Sequence, residues 1–264
     1  MTIKQFDIRM QNEDLPLFPL KERYWMTHTA SGKNIYFAKL PPSVQRKMRY
    51  ENMHLMEGMD FTIENKIPIV APYNGNLDFD IVSYANRANH HGTGEGIHFF
   101  LDDYKILSVW NHLERVTHSL YKYDYLFAPD YSLFTDDDRF HHINTDSIYR
   151  SRFIAAYWQK CGYQVIPTAS WGDANSLKYC FEGLPENSVI AVCGIGHNQD
   201  KAHKTLWLVA AHRLIEEKKP TTLVIYGGKQ EDYLTLPAKV KYIPDFINQH
   251  FRPDGNETSI SIER

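Results

Sequence analysis

Residues 189–226 read VIAVCGIGHNQDKAHKTLWLVAAHRLIEEKKPTTLVIY, and this segment alone indicates the class of fold. It opens with the apolar run VIAVC and closes with TLVIY, both of which have the length and β-branched content of buried strands. Between them, residues 200–219 carry Leu206, Val209, Ala210, Leu214 and Ile215 at helical spacing, and a proline follows. A strand, a helix and a second strand predict parallel β structure joined by a right-handed crossover.

Further short apolar runs extend this pattern along the chain. They span residues 67–72, 97–101, 125–128, 164–168 and 240–243, and a second helix is predicted over 148–160. The fold class is therefore α/β, with parallel strands and crossover helices. Seven strands favour a TIM-barrel-like and incomplete barrel, in which residues 34–40 could supply one more strand. An open doubly wound sheet is the competing arrangement.

Composition narrows the classes of function. The 264 residues contain 29 Lys and Arg against 32 Asp and Glu, a net charge of −3, so extensive non-specific DNA binding is not expected. Residues 1–62 are rich in prolines and polar turns and are predicted to be an N-terminal extension packed on an α/β domain over 63–264. Neither a signal peptide nor a membrane span is indicated. Three widely spaced cysteines indicate buried thiols and a cytoplasmic location.

Acidic residues follow three of the predicted strands, at the end where α/β proteins place their active sites. We predict Asp102, Asp103, Asp130 and Asp173 as catalytic residues. Carboxylates gathered at one site can act as nucleophile and acid–base, hold Mg²⁺, or bind the hydroxyl groups of a sugar. The simpler alternative is that each Asp caps a helix or a turn. No metal is predicted from the sequence beyond this option of Mg²⁺ on the Asp residues.

Aromatic, amide, hydroxyl and basic residues near the same strand ends form the predicted substrate-binding set. Trp171 and Tyr131 are expected to stack on a base or sugar. One of the arginines Arg150 and Arg152 is expected to hold a phosphate. The glycines Gly194 and Gly196 could expose backbone N–H groups to phosphate, although a plain turn is the favoured explanation. The remaining predicted binding residues are Tyr73, Asn74, Tyr104 and Ser132.

Several motifs between residues 95 and 228 also resemble a known family. They are HFFLDDY (98–104), PDYS (129–132), YRSR (149–152), YWQ (157–159), VIPTASWGD (165–173), CFEGLPENSVIAVCGIG (180–196) and VIYG (224–227). Together they resemble DUF4417, a family of bacteria, bacteriophages and other mobile elements, and the resemblance implies a phage or mobile-element accessory gene. It implies no activity. The layout is also similar to that of tRNA-guanine transglycosylase-like barrels, in which an Asp attacks a ribose, here Asp130 or Asp102; their cysteine-rich zinc site is missing.

Two functions remain open on these observations. The first is a cytoplasmic enzyme that acts on a nucleotide or nucleic-acid base by glycosyl transfer or hydrolysis. The second is a non-catalytic protein that sequesters a small phosphorylated metabolite or binds a host protein. A third interpretation is that SWGD, YRSR and FLDDY only determine the fold. The sequence leaves the oligomeric state open.

Overall fold

The computed structural model describes residues 25–28, 34–36, 42–135, 138–196 and 200–245. Near the N-terminus, β1 (Trp25–His28) and β2 (Asn34–Tyr36) form an antiparallel pair, and α1 (Pro42–Tyr50) follows. Residues 34–36 therefore do not add the expected strand to the parallel sheet, and residues 37–40 of that prediction lie outside the described chain. β2 pairs with β1 in a separate two-stranded sheet.

The parallel strands are joined largely by helices and helical turns. They are β3 (Asp80–Ser83), β4 (Glu95–His98), β5 (Tyr125–Phe127), β6 (Gln164–Ile166), β7 (Thr168–Ala169), β8 (Val189–Cys193), β9 (Thr222–Tyr226) and β10 (Val240–Ile243). The helices are α2 (Asp103–Asn111), α3 (Leu113–Ser119), α4 (His141–Lys160) and α5 (Lys201–Lys218). Short 3₁₀ turns cover Met53–Leu55, Tyr84–Asn89, Asp138–Phe140, Ser176–Lys178 and Gln230–Tyr233.

These strands form two parallel four-stranded sheets, in the orders β3-β4-β5-β6 and β10-β9-β8-β7. The α/β class with parallel strands is thus confirmed. Each sheet keeps its strands in chain order, whereas a doubly wound sheet reverses that order at a switch point. Among the described residues, the pairing does not join the two sheets into one ring, so the predicted TIM-barrel-like arrangement is not established.

The predicted strands differ from the observed ones mainly near the start of the domain. Residues 67–72 form no named strand and make only an isolated antiparallel bridge between Pro68 and Phe61. The first parallel strand is instead β3, which was not predicted. The predicted run 164–168 is divided by Pro167 into β6 and β7, because proline cannot donate a ladder hydrogen bond. β6 pairs with β5 and β7 pairs with β8, so this segment borders both sheets.

Side chains alternate along the strands and so divide the core into layers. On β9, Leu223 and Ile225 pack with α5 in one cluster, while Val224 and Tyr226 belong to another. That second cluster, the inner cluster, combines residues of both sheets. Its buried members are Tyr73, Phe100, Phe127, Ile166, Val189, Ala191, Val224, Tyr226 and Ile243. The inner faces of the two sheets therefore share one apolar core.

Gly183 joins the segment before β3 to the body of the domain. Its φ is +73°, and a Cβ placed there would lie 2.4 Å from the carbonyl oxygen of Pro68. That carbonyl oxygen is a backbone atom and cannot turn aside as a side chain could. The N–H of Val70 also donates a hydrogen bond to Gly183 O, so the two segments are held close together. Both the positive φ and the absence of space therefore require glycine.

We expect Gly183→Ala to lower the free energy of unfolding by about 3 kcal/mol, from left-handed strain and overpacking together. Urea unfolding measures it. Gly58→Ala is the matched control, since Gly58 also has positive φ but nothing lies within 4 Å of its Cβ position. Equal losses in the two variants would show that the contact with Pro68 contributes nothing.

Candidate active site at the strand carboxyl ends

A group of polar side chains lies where the inner faces of β4, β5, β7 and β8 reach their carboxyl ends. Asp130 follows β5, Ser170 follows β7, and His98 and Cys193 end β4 and β8. The Asp130 carboxyl is close enough to the Ser170 side chain for that side chain to lower the pKa of the carboxyl, and close enough to the Cys193 thiol to raise the pKa of the thiol. Asp130, Ser170 and Cys193 each keep partial exposure, so solvent reaches this group. We call these four residues the carboxyl-end site.

Asp130 is the most perturbed acid of the site. Burial, and then the nearby charge of Asp103, raise the pKa of its carboxyl to about 7, against the smaller opposing effects of Ser170 and Arg152. Its Oδ1 is buried and has no hydrogen-bond partner within the described part of the chain. An unpartnered buried carboxyl oxygen is costly, because its desolvation is not compensated. At pH 7 both the protonated and the ionised form of Asp130 are therefore populated.

Asp103 supplies a second carboxylate beside Asp130. It is the first residue of α2, and its Oδ1 accepts hydrogen bonds from the backbone N–H and the hydroxyl of Ser132, both at 3.0 Å. Two donors hold this exposed carboxylate in place. The sequence prediction thus placed Asp103, Asp130 and Ser132 together, and the structure does bring these three residues together.

His98 was not predicted as a site residue. Its ring is buried. The centroid of the ring lies 4.4 Å from that of Tyr226, in a tilted contact, and 5.7 Å from that of Phe100. Its Nδ1 accepts the backbone N–H of Phe100 at 3.2 Å. Burial lowers the pKa of the imidazole to about 4, so the ring is neutral at pH 7. In the sequence, His98 opens HFFL and looks like part of a core strand; its alternation with Gly96 and Phe100 was the available signal.

The other two predicted acids have different partners. Asp102 precedes α2, is exposed, and pairs with Lys105 at 2.7 Å. Asp173 accepts the backbone N–H of Ser176 at 2.9 Å and so caps the turn Ser176–Lys178. The Asp173 contact matches the capping alternative, whereas Asp102 occupies the N-cap position of α2 without a side-chain capping hydrogen bond.

Asp173 instead borders a separate polar cavity of about 320 Å³. That cavity is also lined by Glu64, Asn65, His141, Asn144, Asn175, Lys178 and Tyr179, and Asp130 is not among its walls.

Tyr73 and Asn74 lie at the opposite ends of the strands. The carbonyl oxygen of Tyr73 accepts the N–H of Val189, the first residue of β8, and Asn74 bonds to Asn187 O and Thr221 Oγ1. Their placement in the predicted cleft is therefore wrong, and it was wrong because residues 67–72 do not form the strand that was to carry them there.

The predicted aromatic residues divide in the same way. Tyr104 is exposed at 73 % and its ring faces Lys105. Tyr131 is buried, with a hydroxyl that has no partner among the described residues. Trp171 is half-buried and packs on Trp207 at 5.6 Å between ring centroids. Tyr131 immediately follows Asp130 and Trp171 immediately follows Ser170, so both lie next to the carboxyl-end site along the chain.

The groups predicted to hold a phosphate are engaged within the protein. Arg150 Nε lies 2.8 Å from the Asp146 carboxylate, and its guanidinium covers Trp110. Arg152 is fully buried and donates to the carbonyl oxygens of Thr168, Cys180 and Glu182.

The glycines give no better support to phosphate binding. The N–H of Gly194 donates to Tyr226 O at 2.8 Å. Gly196 has a φ of +85° and is exposed, and residues 197–199 after it lie outside the described chain. The geometry therefore lends no support to a phosphate site built from these four predicted residues.

The described residues contain neither a cluster of metal ligands nor a helix that could span a membrane. Across these ranges, no three His, Cys, Asp or Glu side chains are grouped so that they could hold a metal ion. Over the same part of the chain, no helix has the length and apolar character needed to cross a bilayer.

Comparison with known proteins gives the family. Residues 61–243 match the model of DUF4417, described as a domain of unknown function. The "Gene 1 protein" of Mycobacterium phage D29 is 34 % identical over 151 residues, which are 57 % of this chain and 55 % of that protein. The "Gene 1 protein" of Mycobacterium phage L5 is 33 % identical over 150 residues, which are 56 % of this chain and 65 % of that protein.

The alignments thus span only about half to two thirds of the phage relatives' own lengths. No solved structure matches the chain. The family match covers all eight parallel strands and every residue of the carboxyl-end site. This chain is a member of the DUF4417 family.

Proposed function

We propose that this protein is an enzyme that breaks the glycosidic bond of a nucleotide or of a base in nucleic acid, with Asp130 as the acid. The observation that carries the proposal is the Asp130 carboxyl, which has a pKa of about 7 and a buried Oδ1 without a partner. A catalytic acid works best when its pKa lies near the operating pH. Acids whose pKa is strongly raised by burial are also characteristic of active sites.

Asp103 and Asp130 differ in the way that a pair of catalytic carboxyls requires. Asp130 is buried, which favours its protonated form, while Asp103 is exposed and accepts two hydrogen bonds from Ser132. Paired carboxyls with opposed environments divide the acid and base roles between them. In the proposed reaction, the C–N glycosidic bond breaks and its electron pair goes to the base, which takes the Asp130 proton. A water oxygen, or a second base, bonds to the sugar carbon and gives up its proton to a carboxylate.

The surroundings of Asp130 also suit a flat ring. Phe100 and Tyr226 stack only 12° from parallel, and the ring of His98 lies 4.4 Å from that of Tyr226 at an interplanar angle of 35°. Aromatic faces of this kind bind bases through stacking. We further propose that the two sheets are halves of one incomplete barrel, since the inner cluster draws on both sheets. The active site would then lie at its carboxyl end, as in other barrels.

The biological setting is proposed on the relatives. Two proteins of similar sequence come from mycobacteriophages, which supports a phage or mobile-element role inside the host cytoplasm. The described cysteines are all free thiols, as is usual in a reducing compartment. The partner in this proposal is a base-containing small molecule or a nucleic-acid base.

Asp130→Asn tests the proposed function, because asparagine keeps the shape of the side chain and cannot give up a proton. The purified protein is incubated with nucleosides, their 5′-monophosphates and short single-stranded oligonucleotides, and the released base is measured by chromatography. We expect wild type to release base with a rate that changes near pH 7, and the variant to be slower by at least about 100-fold. Asp102→Asn is the matched control and should keep full activity.

Equal rates in wild type and Asp130→Asn would contradict the role of Asp130. If wild type binds one of these compounds and turns over none, the protein is instead a sequestering protein. That alternative has less support, since Arg150, Arg152 and Gly194 already have partners within the protein.

A further inference from the structure

We infer that His98 is a second ligand-contacting residue of the carboxyl-end site, a neutral imidazole whose Nε2–H donates a hydrogen bond to the departing base. This inference rests on the proposed function and assigns a role to a residue that the family motifs and the sequence prediction leave without one. Three features of the molecule support it: the hydrogen bond that fixes the ring, the position of the ring, and buried oxygens in the same region without a partner among the described residues.

The hydrogen bond at Nδ1 decides which nitrogen carries the proton. A backbone N–H can only donate, so the bond from Phe100 N–H at 3.2 Å requires an unprotonated Nδ1. In a neutral ring the proton then lies on Nε2, which becomes a donor. Burial disfavours the charged imidazolium and lowers the pKa of the ring to about 4. His98 is therefore held in one tautomer at neutral pH.

The position of the ring places this donor among residues near Asp130. His98 is the last residue of β4, and its ring lies 4.4 Å from that of Tyr226, which ends β9. Tyr226 lies directly opposite Cys193 on the neighbouring strand, and the charge of Asp130 contributes to the raised pKa of the Cys193 thiol. A single ring-sized ligand that reaches Asp130 from solvent would therefore come close to His98.

Buried side-chain oxygens without a partner among the described residues are a further feature of this region. Asp130 Oδ1 and Thr168 Oγ1 are both buried without a partner in the described ranges, and Thr168 is 1 % exposed. Thr168 lies two residues before Ser170, on the same face of the segment that pairs with β8. Buried polar groups of this kind are usually satisfied by a ligand or by water.

The chemistry that fits such a site is a base that gains negative charge as its bond to the sugar breaks. The electron pair of the C–N bond moves into the ring, where a protonated Asp130 can neutralise one atom. A neutral N–H donor can stabilise the charge on a second atom without giving up its proton. A charged imidazolium is not needed for this role, so the buried and neutral state of His98 is compatible with it.

Three substitutions of His98 separate this role from packing. His98→Phe keeps a ring on Tyr226 without a donor, His98→Asn keeps an amide near Nδ1, and His98→Gln places an amide near Nε2. We expect kcat for base release to fall on the order of 100-fold in the phenylalanine and asparagine variants, with KM changed much less. The glutamine variant should recover part of this loss. Thermal unfolding of each variant identifies any that fail to fold.

A second measurement needs no turnover. Nitrogen-15 NMR of the wild-type protein should show His98 as the neutral Nε2–H tautomer at pH 7. Its Nε2 resonance should shift when a nucleoside 5′-monophosphate is added at millimolar concentration. His54 is the matched control, since it is also buried but is paired with Glu114 near α3, and its signals should not move.

The outcomes distinguish failure of this inference from failure of the proposed function. Unchanged kcat in His98→Phe, with Asp130→Asn inactive, would overturn the role of His98 and leave the function standing. If wild type releases no base but its His98 resonance shifts with a nucleotide, the function is wrong and the contact is right. A different tautomer, or no shift with any nucleotide, would overturn the inference.

Discussion

Asp130→Asn is expected to stabilise the folded protein at pH 8 by about 2 to 4 kcal/mol. The pKa of this carboxyl is raised from 3.8 to about 7 by burial and by Asp103. At pH 8 the wild-type group is ionised in the folded state, where its charge is poorly solvated. Asparagine has a similar shape and carries no charge, so the variant avoids this penalty. Residues that lower stability are common where activity requires them. A stability cost at Asp130 would therefore support its proposed catalytic role.

The pH dependence gives the sign of the effect. The folded state holds the Asp130 proton up to about pH 7, while the unfolded chain releases it near its ordinary pKa of 3.8. The stabilising contribution of this group is therefore complete below pH 3.8 and is lost as the pH rises to about 7. Between these limits the wild-type protein should lose stability relative to Asp130→Asn, and above pH 7 the difference should be constant.

Urea unfolding of both proteins at pH 5, 6, 7 and 8 measures this difference. Asp102→Asn removes an exposed carboxylate next to α2 and should follow the wild-type curve at every pH. A constant difference between wild type and Asp130→Asn across this range would mean that the Asp130 carboxyl is not perturbed. The proposed acid would then lose its main support.

Strands rich in β-branched and aromatic residues were the most predictable part of the fold. β8, β9 and β10 begin and end at the predicted residues, because an apolar run between polar turns has few other places to go. β3 was missed because its sequence, DIVS, is short and polar at both ends. Residues 67–72 look like a buried strand but pack as extended chain, with Ile67 and Val70 in different clusters. The apolar composition of a segment predicts that it is buried. Whether the segment pairs as a strand depends on partner strands elsewhere in the chain.

The site was predictable only where it depended on strand ends. Asp130 follows a correctly predicted strand, and its position there was correct. Tyr73 and Asn74 inherited the error of the missing strand and lie at the other end of the sheet. Arg150 and Arg152 were rightly expected to differ, since residues two apart on a helix do not share a face. The sequence could not show that Arg152, the buried arginine, donates its hydrogen bonds to backbone carbonyl oxygens.

Arg152→Met is expected to lower the free energy of unfolding by about 3 to 5 kcal/mol. The guanidinium of Arg152 is fully buried and donates to Thr168 O, Cys180 O and Glu182 O, at 2.7, 3.1 and 3.2 Å. It thereby connects α4 to β7 and to the segment before β8. Methionine has a similar length and leaves all three carbonyl oxygens buried without their donor, each of which carries a desolvation cost.

The same substitution also tests the electrostatics of the site. Arg152 opposes the rise in the pKa of Asp130, so its loss should raise that pKa further above 7. Carbon-13 NMR of the aspartate carboxyls measures this shift in a variant that still folds. Arg150→Met is the matched control on the same helix, because Arg150 is only half-buried and pairs with Asp146. Its stability should change by about 1 kcal/mol or less. If the two variants lose equal stability, the carbonyl contacts of Arg152 do not hold these elements together.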